Sequence, residues 1–436
     1  MTLIKSTNEK GKRIVVAVKK ILAHRLYQNF FSLSLLQVTN YLLPIITLPY
    51  LIRVLGSENF GKISICQAFF SFLLVVTDYG FSLTATRDVS RSKSDTVELS
   101  KIFSSVFTCK ILLSCLVAII TITFLKFWPG VQQEKVLYFF GFFLILGQVL
   151  MPTWFFQGLE KMKYLTYLNF ISKFLFTVLI FIFISKKEHY SFVLLYYSAG
   201  NIISGIISLV IIKRTFSIDY NRPPWKIIWK ELNSGFPIFL SVFSINSYSN
   251  VNILLLGVFA NDAVVGLYSI AEKFLQVMKQ LLSILFQSIY PKVCELALIN
   301  FESVKLFLRK VGFIFLVSIS LVSSILFILA DWISAFIIGI KSDYLSLLIK
   351  MTCLIPVIIC INIPFYQVLL VYDLKKRYSF VLITGSLISV VLNLLLAHSF
   401  SAVGTILAIL TTELFISCGM IFFTELERDS IYSLRK

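Results

Sequence analysis

The chain has 436 residues, 58% of them hydrophobic and only 14% charged, with a net charge of +18 and a mean hydropathy of +0.87. Soluble globular domains carry roughly 25% charged residues, so this composition excludes a soluble fold and points to an all-α polytopic membrane protein. In that setting the positive charge serves loops at helix ends and anionic lipid headgroups, and it is no argument for nucleic acid.

Residues 1–29 are a basic segment with 7 Lys or Arg, and its amphipathic stretch Ile14–Leu26 either lies on the membrane surface or continues as a basic tail. Twelve apolar stretches follow: 30–52, 62–85, 102–125, 136–156, 164–185, 190–212, 233–258, 263–290, 306–329, 344–371, 379–397 and 401–424. Each meets or approaches the ~20 residues that a helix needs to cross the hydrocarbon of a bilayer. The first is too long for the apolar part of a cleaved signal and has no small-residue cleavage site after it, so it reads as an uncleaved helix. Of the 40 Lys and Arg, 28 lie in the alternate segments 1–29, 86–101, 157–163, 213–232, 291–310, 372–378 and 425–436, against 7 on the opposite side (Arg53, Lys62, Lys126, Lys135, Lys186, Lys187 and Lys341) and 5 deeper inside the stretches. That bias places both termini in the cytoplasm.

Landmarks of the first six stretches recur in the last six. Asn40-Tyr41 is echoed by Ser247-Tyr248, Gly61-Lys-Ile-Ser64 by Gly266-Leu-Tyr-Ser269, and the Pro152 to Gln157 segment by Pro364 to Gln367, at offsets of 207, 205 and 210. Each half holds an even number of spans, so both insert in the same sense about an axis along the membrane normal. The expected organisation is a basic N-terminal segment (1–29), an N-terminal six-helix bundle (30–212), a cytoplasmic linker (213–232) containing Pro223, Pro224 and Trp225, a C-terminal six-helix bundle (233–424) and a cytoplasmic tail (425–436). A cavity between two such bundles is the expected substrate path, opened to each side in turn.

Charge inside a bilayer is costly, so charged residues within the spans mark a cavity or a partner. The eighth stretch carries Glu272, Gln276, Lys279, Ser283 and Gln287 at helical spacing, with Lys273 and Gln280 beside them. This stripe predicts either a cavity-lining helix or a structural pair buried between helices. Lys173 is a second cavity candidate, Lys110 a weaker one, and Lys350 a snorkelling or rim residue. Glu413 lies at the centre of the twelfth stretch, where it is protonated, paired or turned to the cavity; with Glu272 it is the candidate for ion coupling. Tyr41 and Tyr248, with the serines and asparagines of the first and seventh stretches, can bond sugar hydroxyls or bond helix to helix. Pro44, Pro49, Pro237, Pro356 and Pro364 favour kinks, whereas Gly200, Ser204 and Ser208 at four-residue spacing predict close packing.

The seven cysteines form no CxxC and the three histidines are far apart, so neither a disulfide framework nor a metal site is expected. No DxD, Walker or HExxH pattern occurs, and the longest external loop runs only from Ala330 to Asp343. The sequence therefore supports no catalytic residues, no cofactor and no enzyme.

The segments Tyr41–Gly61 (YLLPIITLPYLIRVLGSENFG), Asp78–Arg87 (DYGFSLTATR) and Trp154–Tyr164 (WFFQGLEKMKY) resemble the O-antigen flippases. These form the polysaccharide transporter branch of the multidrug, oligosaccharidyl-lipid and polysaccharide exporter superfamily. The resemblance implies a V-shaped pair of six-helix bundles in the bacterial inner membrane, and movement of an undecaprenyl diphosphate-linked O-antigen unit between leaflets. Implied partners are the lipid-linked oligosaccharide, membrane lipids and other polysaccharide-assembly membrane proteins. Lys173, Lys273 and Lys279 could supply counter-charge to the diphosphate. Arg53, Asp78 and Arg87 match motif positions at helix ends, read as headgroup contacts and capping pairs in preference to substrate contacts. A drug or small-solute antiporter of the same superfamily is the alternative, followed by a membrane-embedded polysaccharide polymerase or glycosyltransferase.

Overall fold

A computed structural model of the chain describes residues 43–127 and 129–427, with the side chains of 129, 130, 244, 245 and 247–250 left aside. Among the described residues every regular element is helical. The order is α1 (43–78), α2 (Phe81–Arg91), α3 (Thr96–Phe127), the short α4 (Pro129–Gln132), α5 (Lys135–Leu150), α6 (Thr153–Gly158) and α7 (Met162–Phe183). A 3-10 turn (Lys187–Ser191) precedes α8 (Phe192–Phe216), α9 (Trp225–Phe259), α10 (Asp262–Ala297), α11 (Phe301–Ile338), α12 (Asp343–Thr352), α13 (Leu354–Val371) and α14 (Lys375–Leu426). A helix satisfies its backbone hydrogen bonds within itself, which is the condition for an apolar run to cross lipid.

Eight helical segments are long and apolar enough to cross a membrane. Two of them each carry two of the predicted stretches: α1 with α2, and α14. Within α14, Ser401 adopts φ 51° and ψ −132°, so the 52-residue element is two helices meeting at a kink on the first residue of the twelfth stretch. Gly56, at φ 81°, interrupts α1 in the same way, and a left-handed backbone there favours glycine. Helices α9 and α10 are also long, at 35 and 36 residues, but polar side chains interrupt their apolar runs.

Helix α11 shows the environment most plainly. Its segment has a mean hydropathy of 2.7, yet only 17% of that apolar window is buried, and Ile328, Phe313 and Leu321 are 75, 66 and 63% exposed. An apolar surface of this length suits a lipid solvent and is foreign to a water-soluble monomer.

Two compact units form, each discontinuous in sequence. The first comprises the described part of Met1–Thr47 with Val76–Ile182 and Leu194–Phe239; the second comprises Leu48–Val75, Phe183–Val193 and the described part of Leu240–Lys436. The core of the first gathers Phe81, Val89, Phe103, Trp154, Phe155 and Leu168 around α2, α3, α6 and α7. In the second, Ile52, Phe60, Leu256, Tyr268, Leu345 and Ile406 pack together from α1, α9, α10, α12 and α14.

Helix starts and stops follow local chemistry. The side chains of Asn261, Asn300 and Ser342 accept from Val264 N, Ser303 N and Leu345 N at 2.9, 2.7 and 3.3 Å, capping α10, α11 and α12. The turns after α6 and α13 share one design. Glu160 and Asp373 adopt φ 58° and 59°, and the next amide, of Lys161 or Leu374, donates back to Phe156 O or Leu369 O at 2.9 or 2.8 Å.

Candidate functional site

In the first unit the candidate cation is Lys173. Its ammonium donates to the Tyr197 hydroxyl on α8 and lies over the Tyr197 ring, 4.2 Å from the centroid. Helices α7 and α8 approach closely beside it because Gly200 has no side chain: a Cβ there would lie 2.3 Å from Ser172 O. At the same level Ser172 Oγ donates to Asn201 Oδ1 at 2.6 Å. The close packing expected of Gly200, Ser204 and Ser208 is present, with both serines fully buried.

Lys110 has a different role from the one suggested by its depth in the third stretch. It is 1% exposed, and its Nζ donates to Asp78 Oδ1 at 3.0 Å. The other Asp78 oxygen accepts from Ser82 N at 3.4 Å, at the start of α2. One carboxylate therefore neutralises a buried ammonium and caps a helix. Between α1 and α2, Tyr79 and Gly80 have φ values of 50° and 80°. Tyr79 stacks on Phe239 with ring centroids 4.9 Å apart, and a Cβ on Gly80 would lie 2.7 Å from Ile238 Cγ2.

Further along α2, Arg87 Nε donates to Asp88 Oδ1 at 2.8 Å. The nearby Glu231, in the segment preceding the seventh stretch, has its carboxyl pKa pushed above the usual carboxylate range. Burial is the main cause and the Asp88 charge adds to it, while Lys230 and Arg87 oppose it. A raised carboxyl pKa means that ionising Glu231 costs more in the folded than in the unfolded protein, so its unfavourable effect is complete only above the folded pKa. Glu231→Gln should therefore raise the thermal midpoint of the detergent-solubilised protein at pH 8, with the gain shrinking as pH falls through the carboxylate range. A gain that grows on acidification would contradict this.

In the second unit the polar stripe of α10 separates into two environments. Glu272 is 5% exposed and shares the buried face with Leu275, Leu282 and Phe286, whereas Lys273, Gln276, Lys279 and Ser283 are half-buried and Gln287 is exposed. Lys279 Nζ donates to Glu413 Oε1 on α14 at 3.2 Å. The two charged residues singled out from different spans thus form one ion pair, with 36% of the Lys279 side chain exposed against 7% for Glu413. Arg53 donates to Phe336 O and lies over the Phe336 ring, 5.5 Å from its centroid. Lys350 Nζ donates to Asp331 Oδ2 at 2.9 Å. Tyr41 and the side chain of Tyr248 lie outside the described residues.

Two contacts of this unit join positions that sequence reasoning did not pair. Asn393 Nδ2 on α14 donates to Asn252 Oδ1 on α9 at 2.7 Å, and both residues are buried. Asparagine in an apolar helix was the available signal, but the pairing spans 141 positions. The other is a crossing of α1 and α10 at the paired glycine landmarks: a Cβ on Gly61 would lie 1.8 Å from Asp262 O, and one on Gly266 would lie 2.0 Å from Ser57 O. No three His, Cys, Asp or Glu side chains gather as a metal site among the described residues.

Residues 26–297 match the polysaccharide biosynthesis protein family. The chain belongs to this family. A protein of Escherichia coli (strain K12) named "Putative O-antigen transporter" is 29% identical over 403 residues, covering 91% of this chain and 96% of its own length. Among solved structures, an inward-facing multidrug resistance MATE family transporter of the MOP superfamily aligns at a TM-score of 0.66 and 12% identity, over 94% of this chain and all of its own. The lipid II flippase MurJ in an inward closed conformation aligns at a TM-score of 0.61 and 16% identity, over 92% of this chain and 87% of its own. Those two likenesses establish that this member of the polysaccharide biosynthesis protein family has the fold of a polytopic transporter.

Proposed function

We infer that this protein is a flippase of the bacterial inner membrane. It moves undecaprenyl diphosphate-linked O-antigen, or a related polysaccharide repeat unit, from the cytoplasmic to the periplasmic leaflet. The observation that carries this reading is the similarity to the E. coli protein named "Putative O-antigen transporter", which extends over nearly the full length of both chains. In the fuller form of the reading, twelve spans form two pseudo-symmetric six-helix bundles, 30–212 and 233–424, with both termini cytoplasmic and the cavity opening to each side in turn. The charge alternation, the repeated landmarks and the matching turns at Glu160 and Asp373 support it.

A lipid diphosphate is an anion that low dielectric repels, so its carrier needs cations at depth. On this reading Lys173 and Lys279 serve that role; the Tyr197 hydroxyl lies beside the first, and Gln276 and Ser283 stand one turn to either side of the second on the same helix. Partners of this activity are membrane lipids and the other membrane proteins of polysaccharide assembly. The similarity to the MATE transporter is one of fold and assigns no drug substrate.

Deleting the gene in a strain without a second flippase should abolish surface polysaccharide and leave lipid-linked oligosaccharide on the cytoplasmic leaflet. Normal surface polysaccharide in that strain would overturn the reading. Lys173→Ala at normal expression should reduce complementation severalfold, since one of the two cations proposed for the headgroup is removed; full complementation would exclude Lys173 from the substrate path.

A further inference from the structure

The ion pair between α10 and α14 joins two side chains of unequal accessibility. Lys279 stands near the midpoint of α10 with 36% of its side chain exposed, while Glu413 is 7% exposed, and Nζ and Oε1 are 3.2 Å apart. Gln276 and Ser283, one turn to either side of Lys279 on α10, are half-buried like it, so the lysine side chain lies on a stretch of helix that also offers neutral hydrogen-bonding groups. Glu272 lies on the buried face of α10. The carboxylate is thus shielded while part of the lysine side chain stays accessible, the reverse of the Lys110–Asp78 pair, in which the lysine is the buried partner.

We propose that Lys279 exchanges partners during transport. Glu413 holds it in the empty protein, and the diphosphate of the lipid-linked substrate takes the place of Glu413 in the loaded one. This inference rests on the flippase reading and deepens it by assigning the two side chains opposite effects on substrate binding. Lys279 contacts the anion directly. Glu413 is a built-in competitor that compensates the ammonium when no substrate is present and limits how tightly the diphosphate is held. Competition between two anions for one cation predicts opposite signs: loss of the cation weakens binding, whereas loss of the competing carboxylate strengthens it.

The test measures binding of undecaprenyl diphosphate to the purified full-length protein in detergent, with undecaprenol and inorganic pyrophosphate as parallel probes. Wild-type protein should bind the lipid diphosphate and not undecaprenol, and free pyrophosphate only weakly. Lys279→Gln should weaken lipid diphosphate binding about tenfold or more, Glu413→Gln should tighten it severalfold, and the double variant Lys279→Gln/Glu413→Gln should bind as weakly as Lys279→Gln alone. Equal weakening in both single variants, or no change in either, makes the pair a structural tie and overturns the exchange. If Glu413→Gln does not fold, the double variant decides: its pair is neutral, so wild-type affinity in it overturns the exchange as well. Wild-type protein that ignores undecaprenyl diphosphate altogether overturns the flippase reading itself, and the exchange with it.

Discussion

Gly61→Ala should cost the protein about 3 kcal/mol of stability and reduce transport to background, and Gly266→Ala should do the same. The reason is backbone contact. The added methyl on Gly61 would sit 1.8 Å from Asp262 O and 2.7 Å from Asp262 C, and that on Gly266 would sit 2.0 Å from Ser57 O. No rotamer change relieves such an overlap, so the helices must move apart. Separation there would loosen the core that Phe60, Val265 and Tyr268 share. Gly312→Ala is the matched control. Its nearest outside atom would be the Pro364 ring at 3.3 Å, and Ala gains up to about 1 kcal/mol of helix propensity over Gly, so it should remain close to wild type. Thermal unfolding in detergent and complementation of a flippase-deficient strain measure both effects, and wild-type behaviour of Gly61→Ala would show that the crossing is not a backbone contact.

The second large effect lies at the other compact unit's buried ion pair. Asp78→Asn should destabilise by about 3–5 kcal/mol, because it leaves a lysine without its counter-charge in an apolar interior; Lys110 is only 1% exposed. Lys110→Met should be milder, since the Asp78 side chain is 20% exposed and keeps its contact with Ser82 N. The double variant Asp78→Asn/Lys110→Met should recover most of the loss, as neutral replacement of a buried pair commonly does. A double variant no better than Asp78→Asn would assign the effect to the helix cap in place of the charge. Either result is read from the thermal midpoints of the four proteins in one detergent.

Most of the described helices were legible in the sequence because apolar length dictates them. The kink at Ser401 falls on the first residue of the twelfth stretch, and the left-handed Gly56 lies between the first and second. Lys279 and Glu413 were both visible as charges out of place, since an ionisable residue in a bilayer must have a reason to be there. Their pairing was not visible, because it joins positions 134 apart and depends on how α10 packs on α14. Glu272 illustrates the limit of helical spacing. It follows the i, i+4 pattern of the stripe, yet it lies on the buried face of α10 with Leu275, Leu282 and Phe286. Gly61 and Gly266 stood out only as landmarks of a repeat; that they meet each other follows from tertiary packing alone. Asp78 accepts from Ser82 N near the start of α2, a local contact, while its other partner, Lys110, lies on α3, 32 positions away, and no sequence spacing links the two.

The measurement that bears most directly on the flippase reading is translocation by the purified protein in proteoliposomes. Undecaprenyl diphosphate-linked oligosaccharide, labelled on the sugar and placed in one leaflet, should become accessible in the other to a membrane-impermeant glycosidase or lectin at a rate that scales with protein content. Lys279→Gln should abolish that acceleration while leaving the vesicles intact. A rate equal to that of protein-free vesicles, under conditions where the protein is folded and an ion gradient of either sign is supplied, would contradict the account.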